Sequence, residues 1–309
     1  MIDLLNTGLG FARENKTKRT MIMQIVTDSG ADLTPAQQNG LQVHFVPLTF
    51  TLDGKTYRSG VDIQPEEFYR LLESTESFPN TSQPSAGEFA EIYRKLAATD
   101  EEILSFHISS GLSGTINAAR IGAEMVSEAK VTLVDTKTLS GAQGWQIEAT
   151  AKAIVAGWSK ERILAMVKEI SDATELLFTL PSLKYLIHGG RINHLKGLIA
   201  SLLKIKPVIG VEKVGGTYVQ RSTVRTMTAA ISKIVELVSE KHPPGSLLRL
   251  QILHGNNPEG VESLKQKLEQ IYKCNWLPTS LIAPVLGAHT GPGLVGLVFA
   301  SESAFPVMA

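Results

Sequence analysis

Residues 102–156 alternate short apolar runs with amphipathic stretches, and this alternation constrains the fold more than any other feature of the chain. Ile103–Ile108 reads as a buried strand, Thr115–Ser127 as a helix, Val131–Asp135 as another strand and Ala142–Ala156 as another helix. Ala119, Ala123 and Val126 fall on one helical face. Strands that alternate with helices predict a parallel sheet covered on both faces, because parallel neighbours need long crossovers. The loops after strand ends, at Ser29, Ser113 and Thr136, would then gather along the carboxyl edge of that sheet, where ligands of open α/β folds bind.

The rest of the first half fits around this sheet. Met23–Asp28 and Gln42–Thr49 read as strands, and Asp53-Gly54 between two short β-prone runs is a strong hairpin signal. Asp62 with Pro65 predicts a helix start that carries Phe68, Leu71 and Leu72 inward. Residues 79–84 (Pro-Asn-Thr-Ser-Gln-Pro) read as a loop, being polar and bounded by prolines. Ser85 and Glu88 form a capping box for a helix to about Ala98, and Lys160–Ile170 is a further helix.

From Glu175 the texture changes. A strand at Glu175–Phe178 leads through a helix to Gly189-Gly190-Arg191, then to an apolar helix at Leu195–Leu203. Lys206–Glu212 and Tyr218–Val224 read as a hairpin around Gly215-Gly216. Helix Met227–Lys241, strand Leu248–His254, helix Gly260–Lys273 and a last pair of strands follow, which predicts an α+β layer. The reading is a two-domain α/β protein: a parallel-sheet domain over 21–172, an α+β domain over 173–309, and residues 1–20 as an extension outside the fold.

Several function classes are excluded early. Thirty basic residues balance thirty acidic ones, so no global field recruits nucleic acid. The single cysteine, Cys274, permits neither an internal disulfide nor a cysteine-built zinc cage, and a reducing cytoplasm fits. The other histidines, His44, His107, His188, His194, His242 and His254, show no metal-ligand spacing, so no metal or cofactor is expected. The N-terminus lacks the pattern of a signal peptide. The uncharged run Leu281–Ala300 is broken by Pro284, Pro292 and several glycines, and reads as two buried strands flanking a turn.

Four stretches carry candidate chemistry. Ser109–Thr115 (Ser-Ser-Gly-Leu-Ser-Gly-Thr) lies between a strand and a helix start, where backbone N–H groups and the helix dipole favour an anion. Ser113 can equally be a simple helix cap. The turn is no nucleotide-binding P-loop, because no Gly-Lys-Ser/Thr follows. Thr81-Ser82-Gln83 offers three polar side chains on its loop. His289, among glycines in an apolar run, is either a hydrogen-bonded core residue or a ligand contact. Arg191 could aim a guanidinium at a carboxylate or phosphate. Lys184, Lys196, Lys204 and Lys206 around it form either a solvated face or a docking surface for an acidic partner or an anionic membrane.

Taken in order, these stretches resemble the DegV family of fatty-acid-binding proteins. The shared motifs are VTDSGADL (26–33), PNTSQPSAGEF (79–89), HISSGLSGT (107–115), VDTKTLS (134–140), HGGRI (188–192), KIKPVIGVE (204–212) and GAHTGPG (287–293). The departures are Gly30 for a usual threonine, Gly141-Ala142-Gln143 in a usually Met-Gly-rich turn, and Met227 for a usual basic residue. The resemblance implies a long-chain fatty acid, such as palmitate, in a tunnel between two domains. It implies a carboxylate held by the hydroxyls of Thr81 and Ser113 with the backbone around Gly114, and Ser82, His289 and Arg191 close by. It implies no catalysis by the chain itself. In some bacteria such proteins present the fatty acid to a separate ATP-dependent kinase subunit, related to dihydroxyacetone kinases, which makes an acyl phosphate for phospholipid metabolism. A transient membrane-surface contact goes with that role.

Two other readings compete. Ser113, Asp135 and His289 occur in the chain order of α/β-hydrolase triads, which would make the chain a serine hydrolase or acyltransferase. The nucleophile elbow G-x-S-x-G is not matched, since Gly111-Leu-Ser113-Gly114-Thr115 lacks glycine at its last place. A phosphorylated metabolite could use the same loop, but would leave the apolar interior unexplained.

Overall fold

The computed structural model describes residues 23–307 except 101, 194 and 196–204. The sequence extension 1–20, Lys196, Lys204 and all of the expected apolar helix except Leu195 therefore lie outside the described residues.

The first sheet is parallel, with strand order β2-β1-β6-β7, built from β1 (Gln24–Asp28), β2 (Val43–Val46), β6 (Glu102–His107) and β7 (Lys130–Asp135). Its strands alternate faces. Val26 and Ile103 meet Phe89, Tyr93, Ala118 and Ala119 of helices α3 (Ala86–Ala97) and α4 (Thr115–Glu124). Ile25 and Leu104 meet Ile147, Ile163 and Val167 of α5 (Ser140–Val155) and α6 (Lys160–Ala173). Both faces are covered, as the near-continuous apolar runs require.

The expected strand 42–49 is split at Pro47. Its second part becomes β3 (Thr49–Leu52) of a separate antiparallel sheet with β4 (Lys55–Arg58) and β5 (Asn80–Ser82), in the order β4-β3-β5. The β3–β4 hairpin turns on Asp53 and Gly54, both at positive φ, as expected. Strand β5 corrects the loop expected at 79–84, since Thr49, Phe50 and Thr51 pair with Ser82, Thr81 and Asn80. A short α1 (Pro35–Gln38) follows β1, and α2 (Pro65–Glu73) follows β4. Helix α2 starts after Gln64, one turn edge later than Asp62, whose carboxylate instead takes the backbone N–H and guanidinium of Arg58. It buries Phe68, Tyr69 and Leu72, with Leu71 only partly covered.

The second sheet is mixed, with order β10-β9-β8-β14-β11-β12 and β13 beside β11. It comprises β8 (Glu175–Thr179), β9 (Lys206–Val211), β10 (Tyr218–Val224), β11 (Leu247–His254), β12 (Lys273–Trp276), β13 (Ser280–Leu281) and β14 (Val295–Ser301). Helices α8 (Met227–Ser239) and α9 (Pro258–Glu269) cover one face, against Leu177, Leu250 and Leu297. The opposite face turns Leu176, Phe178, Leu253 and Val298 toward Trp145, Leu139 and Ile108 of the first half. Between the two halves run α7 (Lys184–His188) and α10 (Pro284–Thr290). Helix α10 corrects the pair of strands flanking a turn expected over 281–300. Pro284 sits at its first turn, where a missing N–H costs nothing. No helix among the described residues is long and apolar enough to cross a membrane.

Candidate functional site

The carboxyl ends of β1 and β6 are tied by one buried carboxylate. Asp28 accepts from Ile108 N at 2.9 Å, Gly30 N at 3.0 Å and Gln143 Nε2 at 3.3 Å, and meets His107 Nδ1 at 3.1 Å. His107 Nε2 continues to Ser105 Oγ and so to Tyr93 OH, each step 2.8 Å. This fixes where the chain leaves β6. The loop then folds back on itself, Leu112 N and Ser113 N both donating to Ser109 O at 3.0 Å.

Helix α4 opens at the end of that loop with Gly114, and no side chain caps it. Ser113 is therefore not the N-cap that its position suggested. Its Oγ accepts from Thr115 N at 3.3 Å and lies 2.8 Å from Thr115 Oγ1. Either hydroxyl of this pair can donate; when the buried Thr115 does, the Ser113 hydroxyl hydrogen is left to point outward. Gly114 lies against the Gln83 side chain, whose Oε1 a Cβ here would meet.

Thr81 reaches the same place from β5, 208 residues in sequence from His289, whose Nε2 lies 2.8 Å from Thr81 Oγ1. Burial, reinforced by Arg191 and His188, lowers the His289 pKa to about 3, so the imidazole is neutral. Its Nδ1 is buried without a partner, over Gly189. An unpaired acceptor is tolerated better than an unpaired donor, which puts the proton on Nε2. Nε2–H then donates to Thr81, and the Thr81 hydroxyl hydrogen is left for a ligand.

Thr81, Ser82, Gln83, Ser113, Arg191 and His289 line one cavity of about 310 Å³. Arg191 is its only charged wall among the described residues, and it is steadied by donating to Gly189 O at 2.5 Å. Leu139, Tyr218 and Leu286 belong both to this cavity and to a narrow passage of about 30 Å³. That passage runs between Leu176, Phe178, Leu253, Ile282 and Leu294, and its walls are apolar apart from Ser140, Thr290 and the tyrosine.

Of the residues expected at the head-group site, Thr81, Ser82, Ser113, Arg191 and His289 thus line one cavity, from β5, the loop before α4, the segment after α7 and helix α10, while Gly114 adjoins it through its contact with Gln83. Gln83, the third polar residue of the Thr81-Ser82-Gln83 stretch, lines the cavity as well. The residues of the passage carry no sequence signal, because they look like any other core leucines.

The hydrolase constellation does not assemble. Asp135 is occupied by Lys137 at 2.8 Å and by the N–H groups of Ser110 and Lys137. His289 faces Thr81, and Ser113 faces Thr115. Of the lysines around Arg191, Lys184 is exposed and lies over the rings of Phe78 and Tyr185, and Lys206 donates to Pro181 O.

A family model described as an uncharacterised protein of the DegV family matches residues 22–302. A DegV domain-containing protein of Staphylococcus aureus is 35% identical over 274 residues, covering 89% of this chain and 97% of its own. One from Listeria innocua is 32% identical over 276 residues, covering 89% and 97%. Among solved structures, a fatty-acid-binding DegV family protein from Thermus thermophilus superposes with a TM-score of 0.82 at 29% identity, covering 91% of this chain and 100% of that one. A fatty-acid-binding DegV from Bacillus subtilis gives the same TM-score, identity and coverage. A stearic-acid-binding protein from Eubacterium ventriosum gives 0.80 at 25% identity, covering 91% and 98%.

Proposed function

Because the chain belongs to the DegV family, we propose that it binds one long-chain fatty acid, with the carboxylate at Thr81 and Ser113 and the acyl chain in the apolar passage. The observation that carries this reading is the shared wall of Leu139, Tyr218 and Leu286, which joins a hydroxyl-lined cavity to an apolar one. Ser82, Gly114, His289 and Arg191 complete the head-group environment. Residues 21–172 and 173–309 are taken as the two units that meet there.

Energetics support a division of labour along the ligand. Burying about fifteen methylenes contributes roughly 12 kcal/mol at ~0.8 kcal/mol each, so the tail can dominate affinity. The passage is only about 30 Å³ as it stands, so its leucines must part for the chain to enter. A carboxylate carried in with the tail is costly unless hydrogen-bonded. Bonds to a charged group return about 1.5–3 kcal/mol each, so Thr81 and Ser113 offset desolvation and fix register.

The head group is then held chiefly by neutral donors, which leaves its oxygens nucleophilic. We infer a non-catalytic role in which a separate kinase subunit brings ATP. A carboxylate oxygen attacks the γ-phosphorus, the β–γ anhydride bond breaks, and ADP leaves with its electron pair, giving an acyl phosphate for phospholipid metabolism.

Denaturing extraction of the purified protein followed by mass spectrometry is expected to release stoichiometric fatty acid. Thr81→Val with Ser113→Ala is expected to weaken binding with the fold intact. A lipid-free protein that competes for sugar phosphates but not fatty acids would overturn the reading.

A further inference from the structure

The turn between β9 and β10 belongs to the second sheet, yet it presses on the loop that carries Ser113. A Cβ on Gly111 would overlap Gly215 O and come within 2.8 Å of Thr217 Cγ2. A Cβ on Gly216 would overlap Ser109 Oγ and lie 3.0 Å from Ser109 Cβ and 3.2 Å from Lys137 Cα. At Gly111 backbone meets the backbone of Gly215, and at Gly216 the backbone lies directly against the Ser109 side chain, close approaches that glycine on both sides permits. Ser109 is the residue whose carbonyl takes Leu112 N and Ser113 N, and whose Oγ takes Gly111 N at 3.1 Å. The turn therefore bears on the hub of the loop.

The turn is itself rigidly built. Glu212 folds back into it, its carboxylate accepting from Val214 N at 2.9 Å, Gly215 N at 2.6 Å and Thr217 Oγ1 at 3.3 Å. Backbone bonds Glu212 N to Thr217 O and Gly216 N to Glu212 O close it, at 3.0 and 3.1 Å. Gly216 holds the left-handed φ of 67° that the reversal needs. On its other side Lys213 Nζ donates to Ser171 O at 2.7 Å and to Thr174 O, anchoring the turn on the carboxyl end of α6. A mere hairpin tip in solvent would need none of these anchors.

We propose that this turn, with Glu212 as its positioning residue, is a clasp that holds the Ser109–Gly114 loop in the geometry that recognises a carboxylate. The second sheet thereby sets the head-group preference of a site whose donors sit on the first. The inference rests on the fatty-acid reading above.

The test is the ratio of affinities for hexadecanoate and hexadecanol, measured by displacement of a fluorescent fatty acid from the delipidated full chain. The two ligands share a tail and differ at the head, so general loosening of the fold moves both alike. Glu212→Ala is expected to lower the acid-to-alcohol ratio by about tenfold, the value of roughly one charged hydrogen bond, with hexadecanol affinity unchanged. Glu212→Gln keeps an acceptor for the turn and is expected to restore most of the ratio. Gly216→Ala, which drives a methyl into Ser109, should lower it in the same direction. Equal losses for both ligands in Glu212→Ala, or no change in the ratio, would overturn the clasp. Ser113→Ala serves as the reference: if it collapses the ratio while Glu212→Ala does not, the head-group reading stands and the clasp fails. A wild-type ratio near one overturns both.

Discussion

Asp32→Asn probes the junction between the two halves, and its effect should depend steeply on pH. The Asp32 carboxylate accepts from Ser140 Oγ at 2.5 Å and from Ala283 N at 2.7 Å, so it ties the first turn of α5 to the cap of α10. Desolvation outweighs those two hydrogen bonds and raises its pKa from 3.8 to about 7. Between about pH 4 and 7 the folded protein then keeps a proton that the unfolded chain has lost. The stability contributed by this group is whole at low pH, falls by about 1.4 kcal/mol per pH unit through that window, and is gone above pH 7. The accumulated cost is at most about 4 kcal/mol. Asp32 as a residue keeps partial solvent exposure, which screens part of this.

Asparagine is nearly isosteric with the protonated acid, retains an acceptor for Ala283 N, and lets the Ser140 hydroxyl turn to accept. The variant should match the parent near pH 3.5 and exceed it by about 2–4 kcal/mol at pH 8. Urea unfolding at four pH values between these limits measures the difference directly. His289 acts in the opposite sense, since its lowered pKa makes the folded state refuse a proton that the unfolded chain takes up below 6.5. Both proteins carry His289, so subtraction removes it. Tyr69, the other titratable group facing Asp32, is buried and its pKa is raised well above 10.0 by that burial and by Asp32, so it stays neutral. A pH-independent difference, or a variant less stable at pH 8, would refute the reasoning.

Other outcomes can be stated briefly. The imidazole of His289 should remain neutral down to about pH 5 in carbon-13 NMR; a titration near 6.5 would remove the argument for its tautomer. Gly291→Ala should cost about 3 kcal/mol or more in thermal or urea melts, because Gly291 sits at φ 70°, ψ −177° and a Cβ would lie in the Tyr185 ring. Leu286→Ala removes a wall of both cavity and passage. It should cost about 2–5 kcal/mol without lipid and recover part of that with lipid, seen as a larger fatty-acid-induced rise in melting temperature.

What the sequence disclosed follows the range of the forces involved. The parallel sheet was legible because β1 and β6 are buried along their whole length and read as continuous apolar runs, and because β6 and β7 are joined by a single local helix, α4. The Ser109–Thr115 loop was legible for the same reason, since a strand end and a helix start advertise it. Strand β5 was not. Asn80, Thr81 and Ser82 carry no apolar alternation, and only pairing with β3 makes them a strand. Helix α10 was hidden by its glycine: Gly287 reads as a turn former, but it sits in a helix where a Cβ would come within 2.6 Å of Phe68 Cε1 and 2.8 Å of Tyr69 OH. The same residue type can thus answer a backbone demand or a neighbour's demand, and a single sequence does not separate them.

That ambiguity matters most at Gly215-Gly216. One glycine would have sufficed to reverse the hairpin, and the left-handed φ belongs to Gly216 alone. Gly215 is open to substitution as far as the turn's φ is concerned. What surrounds the pair is a concentration of bonds from Glu212 and Lys213, and contact with Ser109 and Gly111 across the boundary between the halves. A hairpin signal in the sequence explains the reversal and nothing more. The remaining features become intelligible only when the loop they bear on has a ligand to hold. A carboxylate whose hydrogen bonds merely offset desolvation gains selectivity only if its donors are already in place. A loop made of serine and glycine supplies donors with little rigidity of its own, so stiffness has to come from outside, and here the second sheet is the nearest source.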